Sequence, residues 1–172
     1  MPANSPHATA RERMIAGEPY DARDPELVEA RRHAARCLQR YNTTPSDDDA
    51  MRGAILRDLL GALGDGVELR PPFACDYGFN IAVGARTFAN FNLIVLDVAP
   101  VSIGNDVQIG PSVQLLTATH PLDANLRRSG IESGKPLTTE DNVWLGGGVI
   151  VCPGVTIGAN TVVGAGSVVV RS

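Results

Sequence analysis

Histidine is the side chain best suited to proton transfer, because its imidazole gains and loses a proton between about pH 5 and 8. The chain contains His7, His33 and His120. His7 falls in the N-terminal tail and His33 in an arginine-rich helical segment, so both are expected at the surface. His120 instead ends a strand-like run, residues 115–120, directly before a long irregular segment. His120 is therefore the candidate general base.

The three cysteines, Cys37, Cys75 and Cys152, are odd in number, far apart and outside any CxxC pair. Their spacing fits neither a disulfide framework nor a zinc site, and it is typical of reduced thiols in a cytoplasmic protein. No metal site is predicted from the sequence.

A six-residue repeat must position these side chains. An anchor residue, aliphatic in seven of eight cases, recurs at every sixth place. It is usually followed by glycine and has a small or β-branched residue four places later. The aligned anchors are Ile103, Ile109, Leu115, Thr139, Leu145, Val151, Ile157 and Val163. Val83, Ala89 and Val95 keep the same spacing in a different register.

Period six is typical of short flat strands joined by tight corners, three of which close a coil of about 18 residues. Residues 67–170 provide about five coils by that measure. A β-sandwich would show two-residue alternation instead. The chain is predicted to be mainly β, with a parallel β-helix of hexapeptide repeats over residues 65–172.

Residues 1–64 are predicted to form a helical segment that caps one end of the solenoid. Asp24 and Pro25 resemble an N-cap followed by proline in the first turn. The Ser46–Asp49 spacing resembles a capping box, and Gly64 is a candidate C-cap. The expected apolar stripe of the second helix consists of Met51, Ile55, Leu59 and Leu63.

Residues 121–138 break the repeat immediately after His120. A loop of this length inside a tightly periodic fold is usually functional or disordered. Its start at the candidate base favours a functional role.

Charge and hydropathy exclude several function classes. The formal net charge is −4, so no basic field favours nucleic acid or an anionic membrane. No apolar run approaches the roughly 18 residues of a membrane helix, and the N-terminus lacks a signal-peptide core. The chain is expected in the cytoplasm.

Five short motifs, met in order, extend this interpretation. They are Met14-Ile15-Ala16-Gly17-Glu18, Ala89-Asn90-Phe91-Asn92, Thr117-Ala118-Thr119-His120-Pro121, Asn142-Val143-Trp144-Leu145-Gly146 and Pro153-Gly154-Val155-Thr156-Ile157-Gly158. The set resembles the maltose, galactoside and nodulation-type O-acetyltransferases, and Cys75-Asp76-Tyr77-Gly78 is closer to the maltose branch. The resemblance implies a left-handed β-helix, although parallel crossovers are usually right-handed.

The resemblance also implies a homotrimer with active sites between subunits, acetyl-CoA as co-substrate, no metal, and direct transfer to a sugar hydroxyl. His120 would take the hydroxyl proton, Asn90 would bind the acyl or acceptor oxygen, and Glu132 would orient His120. The N-terminal helices would contribute to the acceptor site, whose implied residues are Asp76, Asp97, Arg31 and Asp21. The residues implied for the cofactor are Asn90, Trp144, Gly147, Ala165 and Arg171.

Structural alternatives remain beside these roles. Asn90 could belong to a stacked asparagine ladder inside the β-helix. Glu132 could be a solvated loop charge, and Trp144 could be a surface aromatic that fills a corner. The family's Asn-Pro-Ala-Arg-like segment is not found before Ser172, so either the chain is truncated or the CoA phosphates are bound elsewhere.

Other functions use the same fold. A γ-type carbonic anhydrase needs three histidines on zinc, and the repeat contains only His120. A drug acetyltransferase for a streptogramin or chloramphenicol would use an equivalent histidine, and an inactive structural β-helix would use none. The sequence does not identify the acceptor or the physiological role.

Overall fold

The six-residue repeat folds into three parallel sheets of five strands each, wound as a β-helix of about five coils. The computed structural model describes residues 8–172, so the expectation for His7 lies outside the described residues. The predicted solenoid of hexapeptide repeats is confirmed.

Each coil contributes one strand to each sheet, and we call the sheets face 1, face 2 and face 3 in the order in which the chain visits them. Face 1 consists of β2 (Ala62–Leu63), β5 (Ile81–Val83), β8 (Val101–Ile103), β13 (Leu137–Thr139) and β16 (Thr156–Ile157). Face 2 consists of β3 (Glu68–Leu69), β6 (Phe88–Ala89), β9 (Gln108–Ile109), β14 (Trp144–Leu145) and β17 (Val162–Val163). Face 3 consists of β4 (Phe73–Cys75), β7 (Leu93–Leu96), β10 (Gln114–Leu116), β15 (Ile150–Val151) and β18 (Val168–Val169).

The predicted anchors point inward and stack on one another. Ile109 pairs with Ala89 on one side and Leu145 on the other, and all three side chains are buried. Stacking places aliphatic groups of successive coils in contact along the axis, so the core needs few aromatic side chains.

The corner after face 3, here called corner 3, explains the change of register noted in the sequence. Pairing places Leu63 beside Val83 and Val83 beside Ile103, 20 residues apart in each case, whereas Thr139 and Ile157 are 18 apart. The other corners keep six residues between anchors. The extra residues of the early coils, and the inserted segment of the third, therefore all lie at corner 3.

Helices α1 (Ala10–Ile15), α2 (Pro25–Thr43) and α3 (Asp49–Leu59) precede the solenoid. Asp24 caps α2 by accepting a hydrogen bond from the Glu26 amide, as predicted. The capping box at Ser46 is wrong, because the Asp48 carboxylate accepts from the Met51 amide and starts α3 later.

Gly64 is not a C-cap. The second helix ends at Leu59, with Leu60 as its cap, because residues 62–63 pair with β5 as the first strand of face 1. Leu63 therefore belongs to the solenoid, and Met51 is exposed on α3. Pairing with the sheet ends the helix before the glycine.

The helices cover the first coil. Buried side chains of α2 and α3, including Ala34, Ile55 and Leu59, share one core with Leu69 and Phe73. Tyr41 donates a hydrogen bond to the Leu69 carbonyl, which ties α2 to β3 of the first coil. No described helix has the length and apolar composition needed to cross a membrane.

The segment after His120 is an ordered hairpin. Strand β11 (Ala118–Thr119), the short helix α4 (Ala124–Arg128) and β12 (Ile131–Gly134) follow one another, and β11 and β12 pair antiparallel. Strand β1 (Tyr20–Asp21), which lies between α1 and α2, adds to the other edge of β12. The N-terminal segment is thereby joined to corner 3.

Candidate active site

A cavity of about 350 Å³ opens at corner 3. It lies where the solenoid departs from its six-residue period, and α2 and the hairpin form its other walls. Five of its lining residues carry charge or a titratable group: Arg31, Asp76, Tyr77, His120 and Glu132. Four of these were predicted as site residues, and the structure brings them together.

His120 is exposed at the mouth of this cavity, directly after β11. Its neighbour Thr119 is held in place, because its hydroxyl donates to the Ser133 carbonyl at 3.0 Å across the hairpin. The backbone that carries the imidazole is therefore fixed by pairing, while the ring itself faces the cavity and solvent. That is the access a general base needs.

Asp97 was predicted to line the acceptor site, but its side chain is fully buried. One carboxyl oxygen accepts hydrogen bonds from the backbone amides of Asp76, at 3.0 Å, and Tyr77, at 2.9 Å. Asp97 therefore shapes the turn that presents Asp76 and Tyr77 and does not itself line the cavity.

Asp76 lies above this buried acid and lines the cavity. Burial and the nearby Asp97 raise the pKa of Asp76 to about 6, and the cation of Arg31 only partly offsets them. The carboxyl group therefore changes charge close to the pH range in which enzymes work.

Arg31 and Tyr77 form the wall between α2 and the solenoid. The Arg31 guanidinium donates to the Tyr77 hydroxyl and to the Ala22 carbonyl, at 2.6 Å in both cases. These two hydrogen bonds hold the guanidinium in a fixed orientation beside the cavity, as the recognition of oxygen atoms requires.

Glu132 is oriented by Tyr20. The Tyr20 hydroxyl, carried by β1, donates to Glu132 Oε2 at 3.0 Å. Burial, followed by the charge of Glu132, raises the pKa of Tyr20 well above its ordinary range, so the phenol remains a donor. Within the described residues, this phenol and not His120 is the hydrogen-bond partner of Glu132.

Sequence reasoning missed Tyr20 and Tyr77. Tyr77 stands inside the Cys-Asp-Tyr-Gly motif and could have been found there. Tyr20 carries no local signal, because its role depends on β1 pairing with β12, more than a hundred residues away.

Asp21 is not brought into the cavity. Both of its carboxyl oxygens accept hydrogen bonds from the Arg23 side chain, at 2.9 and 2.8 Å. This pairing lowers the pKa of Asp21 to about 2 and occupies its carboxylate at the surface.

The residues predicted for the cofactor lie mainly at a different corner, the one after face 2, here called corner 2. The backbone amide of Asn90 donates to the Ile109 carbonyl of the next coil. The backbone amides of Gly110 and Gly146 donate to the carbonyls of Leu145 and Val163 in the same way. Asn90, Gly147 and Ala165 therefore follow one edge of successive coils. Trp144 is exposed on the neighbouring face 2, whereas Arg171 follows β18 at corner 3.

Corner 2 fits a long, narrow ligand with amide groups. A Cβ on Gly110 or Gly146 would meet the backbone of the next coil, so no side chain stands at those places. Around Gly148 and Gly166 a Cβ would meet nothing within 4 Å, so there is space beside this edge, while their own backbone amides donate to the Pro111 and Gly147 carbonyls of the neighbouring coils. Pantetheine amides would find backbone partners there.

One chain does not bring the two sets of residues together. His120 and the cavity lie at corner 3, whereas Asn90, Gly147 and Ala165 lie at corner 2 of the same prism. The structure thus places the two sets of predicted residues on two separate edges of the prism.

Comparisons with known proteins agree with this architecture. The family profile "Maltose acetyltransferase hexapeptide capping motif" matches residues 13–64, and "Bacterial transferase hexapeptide (six repeats)" matches residues 137–171. Nodulation protein L of Rhizobium meliloti is 50% identical over 86% of this chain and 81% of its own length.

Two solved structures are also similar. A maltose O-acetyltransferase from Clostridium difficile superposes with a TM-score of 0.94 at 47% identity, over 96% of this chain and 88% of that one. A hexapeptide-repeat acetyltransferase from Vibrio cholerae, in complex with acetyl-CoA, superposes with a TM-score of 0.88 at 43% identity, over 95% of this chain and 88% of that one.

Proposed function

Because the chain belongs to the family of maltose, galactoside and nodulation-type acetyltransferases, we propose that it transfers the acetyl group of acetyl-CoA directly to a hydroxyl of a sugar. The chain is an acetyl-CoA-dependent O-acetyltransferase by that membership. The observation that carries the proposal for the acceptor is the cavity at corner 3, where His120 faces Arg31, Asp76 and Glu132.

His120 acts as general base. A neutral hydroxyl is a poor nucleophile until its proton is removed, and an exposed imidazole at the cavity mouth can take it as the oxygen attacks the thioester carbon. The carbon–sulfur bond then breaks, and the imidazolium of His120 returns the proton to the leaving thiolate. Direct transfer needs no acyl-enzyme, because both substrates are held together.

The charged wall of the cavity favours a sugar over an apolar drug. Asp76 and Glu132 accept hydrogen bonds from hydroxyl groups, and the guanidinium of Arg31 donates to hydroxyl or ring oxygens. Tyr20 keeps Glu132 in place. In this position Glu132 also stabilises the cation that His120 forms during transfer.

Asn90 acts from corner 2 of a neighbouring copy. Its side-chain Nδ2 donates to the thioester carbonyl oxygen, where negative charge develops during the attack. Since His120 and Asn90 lie on different edges of one prism, a complete site requires a second chain, and a homotrimer would close three such sites.

The same edge holds the acetyl donor. Acetyl-CoA supplies the activated thioester, backbone groups near Gly147 and Ala165 bind its pantetheine arm, and Trp144 packs against it. Arg171 is proposed to meet the phosphates. The base and the amide together provide the activation, so the proposed chemistry requires no metal.

Replacement of His120 by alanine tests the function. We expect His120→Ala to lower kcat with the best acceptor by at least about 10²-fold, the usual contribution of a general base. The measurement is release of free CoA thiol from acetyl-CoA during a screen of maltose, glucose, galactosides and chloramphenicol.

Leu122→Ala is the matched control, because Leu122 is exposed near the same end of the hairpin and lines no part of the cavity. It should retain the parent rate. A His120→Ala enzyme that also retains it would contradict the mechanism. Turnover of chloramphenicol but no sugar would instead establish the drug-modifying alternative, and no turnover at all the structural one.

A further inference from the structure

A second cluster of reactive side chains lies outside the candidate active site, where α2 packs against α3. His33 and Cys37 are four residues apart on α2 and therefore share one face of the helix. Asp58, near the end of α3, faces them. The Cys37 thiol is 3.6 Å from His33 Nε2 and donates to Asp58 Oδ2 at 3.5 Å. The imidazole and carboxylate atoms are 4.0 Å apart.

These distances approach those of a metal site. With bonds of about 2.0–2.3 Å, tetrahedral zinc ligands lie roughly 3.3–3.6 Å from one another. The two distances to sulfur already match, and only the distance between His33 and Asp58 is longer. Both side chains are about half exposed, so small rotations bring them closer without disturbing the core.

We propose that His33, Cys37 and Asp58 bind one zinc ion, with water in the fourth position. Thiolate, imidazole and carboxylate are all ordinary zinc ligands, and the sulfur favours zinc over magnesium or calcium, which prefer oxygen. As the zinc–sulfur bond forms, the thiol proton now shared with Asp58 is released to solvent.

The surroundings supply access for the ion. A cavity of about 440 Å³ lies beside the cluster, and its lining includes His33 and Asp58 together with the carboxylates Glu26 and Glu29. Glu29 is paired with Arg32 and Arg36, and Arg11 also lines the cavity, so Glu26 and Asp58 supply the negative charge at the entrance. The thiol lies behind it and is 2% exposed. A buried sulfur with two ligands at the surface can hold a metal but offers no room for a substrate to reach the thiol.

The ion would act on the helical cap and not on acetyl transfer. It joins α2 to α3 by side chains separate from those of corner 3, so it stabilises the covering of the first coil. Cysteine spacing in the sequence does not reveal the site, because its single thiol combines with ligands from two helices. It also stands independently of the proposed function, since its readouts need no substrate.

Cobalt(II) is the probe, because it occupies zinc sites and gives a sulfur-to-metal charge-transfer band. The full chain, without a histidine tag, is reduced, freed of metal with a chelator and titrated with cobalt. We expect one equivalent to produce the band, zinc to abolish it by displacement, and zinc to raise the melting temperature.

Three variants locate the site. His33→Gln and Asp58→Asn change exposed ligands and should each weaken cobalt binding by roughly tenfold or more. Cys37→Ser should remove the charge-transfer band, whereas Cys152→Ser, a control at a thiol in the solenoid, should keep it. Because the two exposed variants leave the core intact, they remain informative if Cys37→Ser folds poorly.

Two results would overturn the proposal. One is a chain that gives no thiolate band and no zinc-dependent gain in melting temperature. The other is a band that survives in His33→Gln and Asp58→Asn but disappears in Cys152→Ser, which would assign the metal to another thiol.

Discussion

At the scale of single residues, a buried acid organises the charged ones. Asp97 is fully buried, and its Oδ1 accepts hydrogen bonds from the backbone amides of Asp76 and Tyr77, which holds these two residues at the cavity. The four acids and bases of the cavity were found from the sequence, three of them through resemblance and His120 also from its position. Tyr20 was not, since its contact with Glu132 arises only from long-range pairing.

Asp76 makes stability depend on pH in an unusual direction. Its pKa is raised to about 6 by burial and by Asp97. Between about pH 4 and 6 the folded chain therefore holds a proton that the unfolded chain has lost, and stability falls as pH rises through this window. Asp76→Asn, which cannot ionise, should lose this dependence. Its melting temperature relative to the parent should rise from pH 4 to 6 and then level off up to pH 8.

Asp106→Asn supplies the control for this measurement, because Arg86 lowers the pKa of Asp106. The pH dependence of stability that Asp106 contributes has the opposite sign to that of Asp76. Ionised Asp106 stabilises the fold at neutral pH and ceases to do so in acid. A difference in melting temperature between Asp76→Asn and the parent that stays flat from about pH 4 to 8 would contradict the raised pKa of Asp76.

At the scale of secondary-structure elements, local sequence patterns predicted the hexapeptide repeat and the start of α2. Elsewhere, contacts between distant parts of the chain determined the structure. Ser46 and Asp48 are both residues that favour N-caps, and only the folded geometry decides for Asp48. Residues 121–138 look irregular because the pairing of β12 with both β11 and β1 leaves no periodic trace. The change in register could be seen in the sequence, but its cause, extra residues at corner 3, could not.

The glycine after an inward anchor tests the stacking of coils. A Cβ at Gly84 would lie 2.5 Å from the Gly104 carbonyl carbon of the next coil, so Gly84→Ala should destabilise the fold by about 1–3 kcal/mol. Gly158 occupies the same place in the last coil, where a Cβ would meet only the Glu140 carboxylate at 4.0 Å. Melting temperatures should therefore fall for Gly84→Ala and stay near the parent for Gly158→Ala. Equal losses would show that contact between coils is not what excludes the side chain.

At the scale of the whole molecule, the prism separates what acetyl transfer must bring together. The cavity proposed for the acceptor lies at corner 3 with His120, and the edge with Asn90 lies at corner 2. In the proposed assembly, a neighbouring copy would place its corner 2 against this corner 3 and complete the site without any change of fold. The sequence alone, through resemblance, led to the same expectation of a trimer, but only the structure shows the two halves apart in one chain.

Complementation between two inactive variants tests this central claim most directly. His120→Ala retains Asn90, and Asn90→Ala retains His120, so each homotrimer lacks one half of every site. When the two are refolded together in equal amounts, random assortment should give about one quarter of the sites both groups and restore about that share of the parent rate of acetyl transfer. A mixture no more active than either variant alone would contradict a site shared between copies.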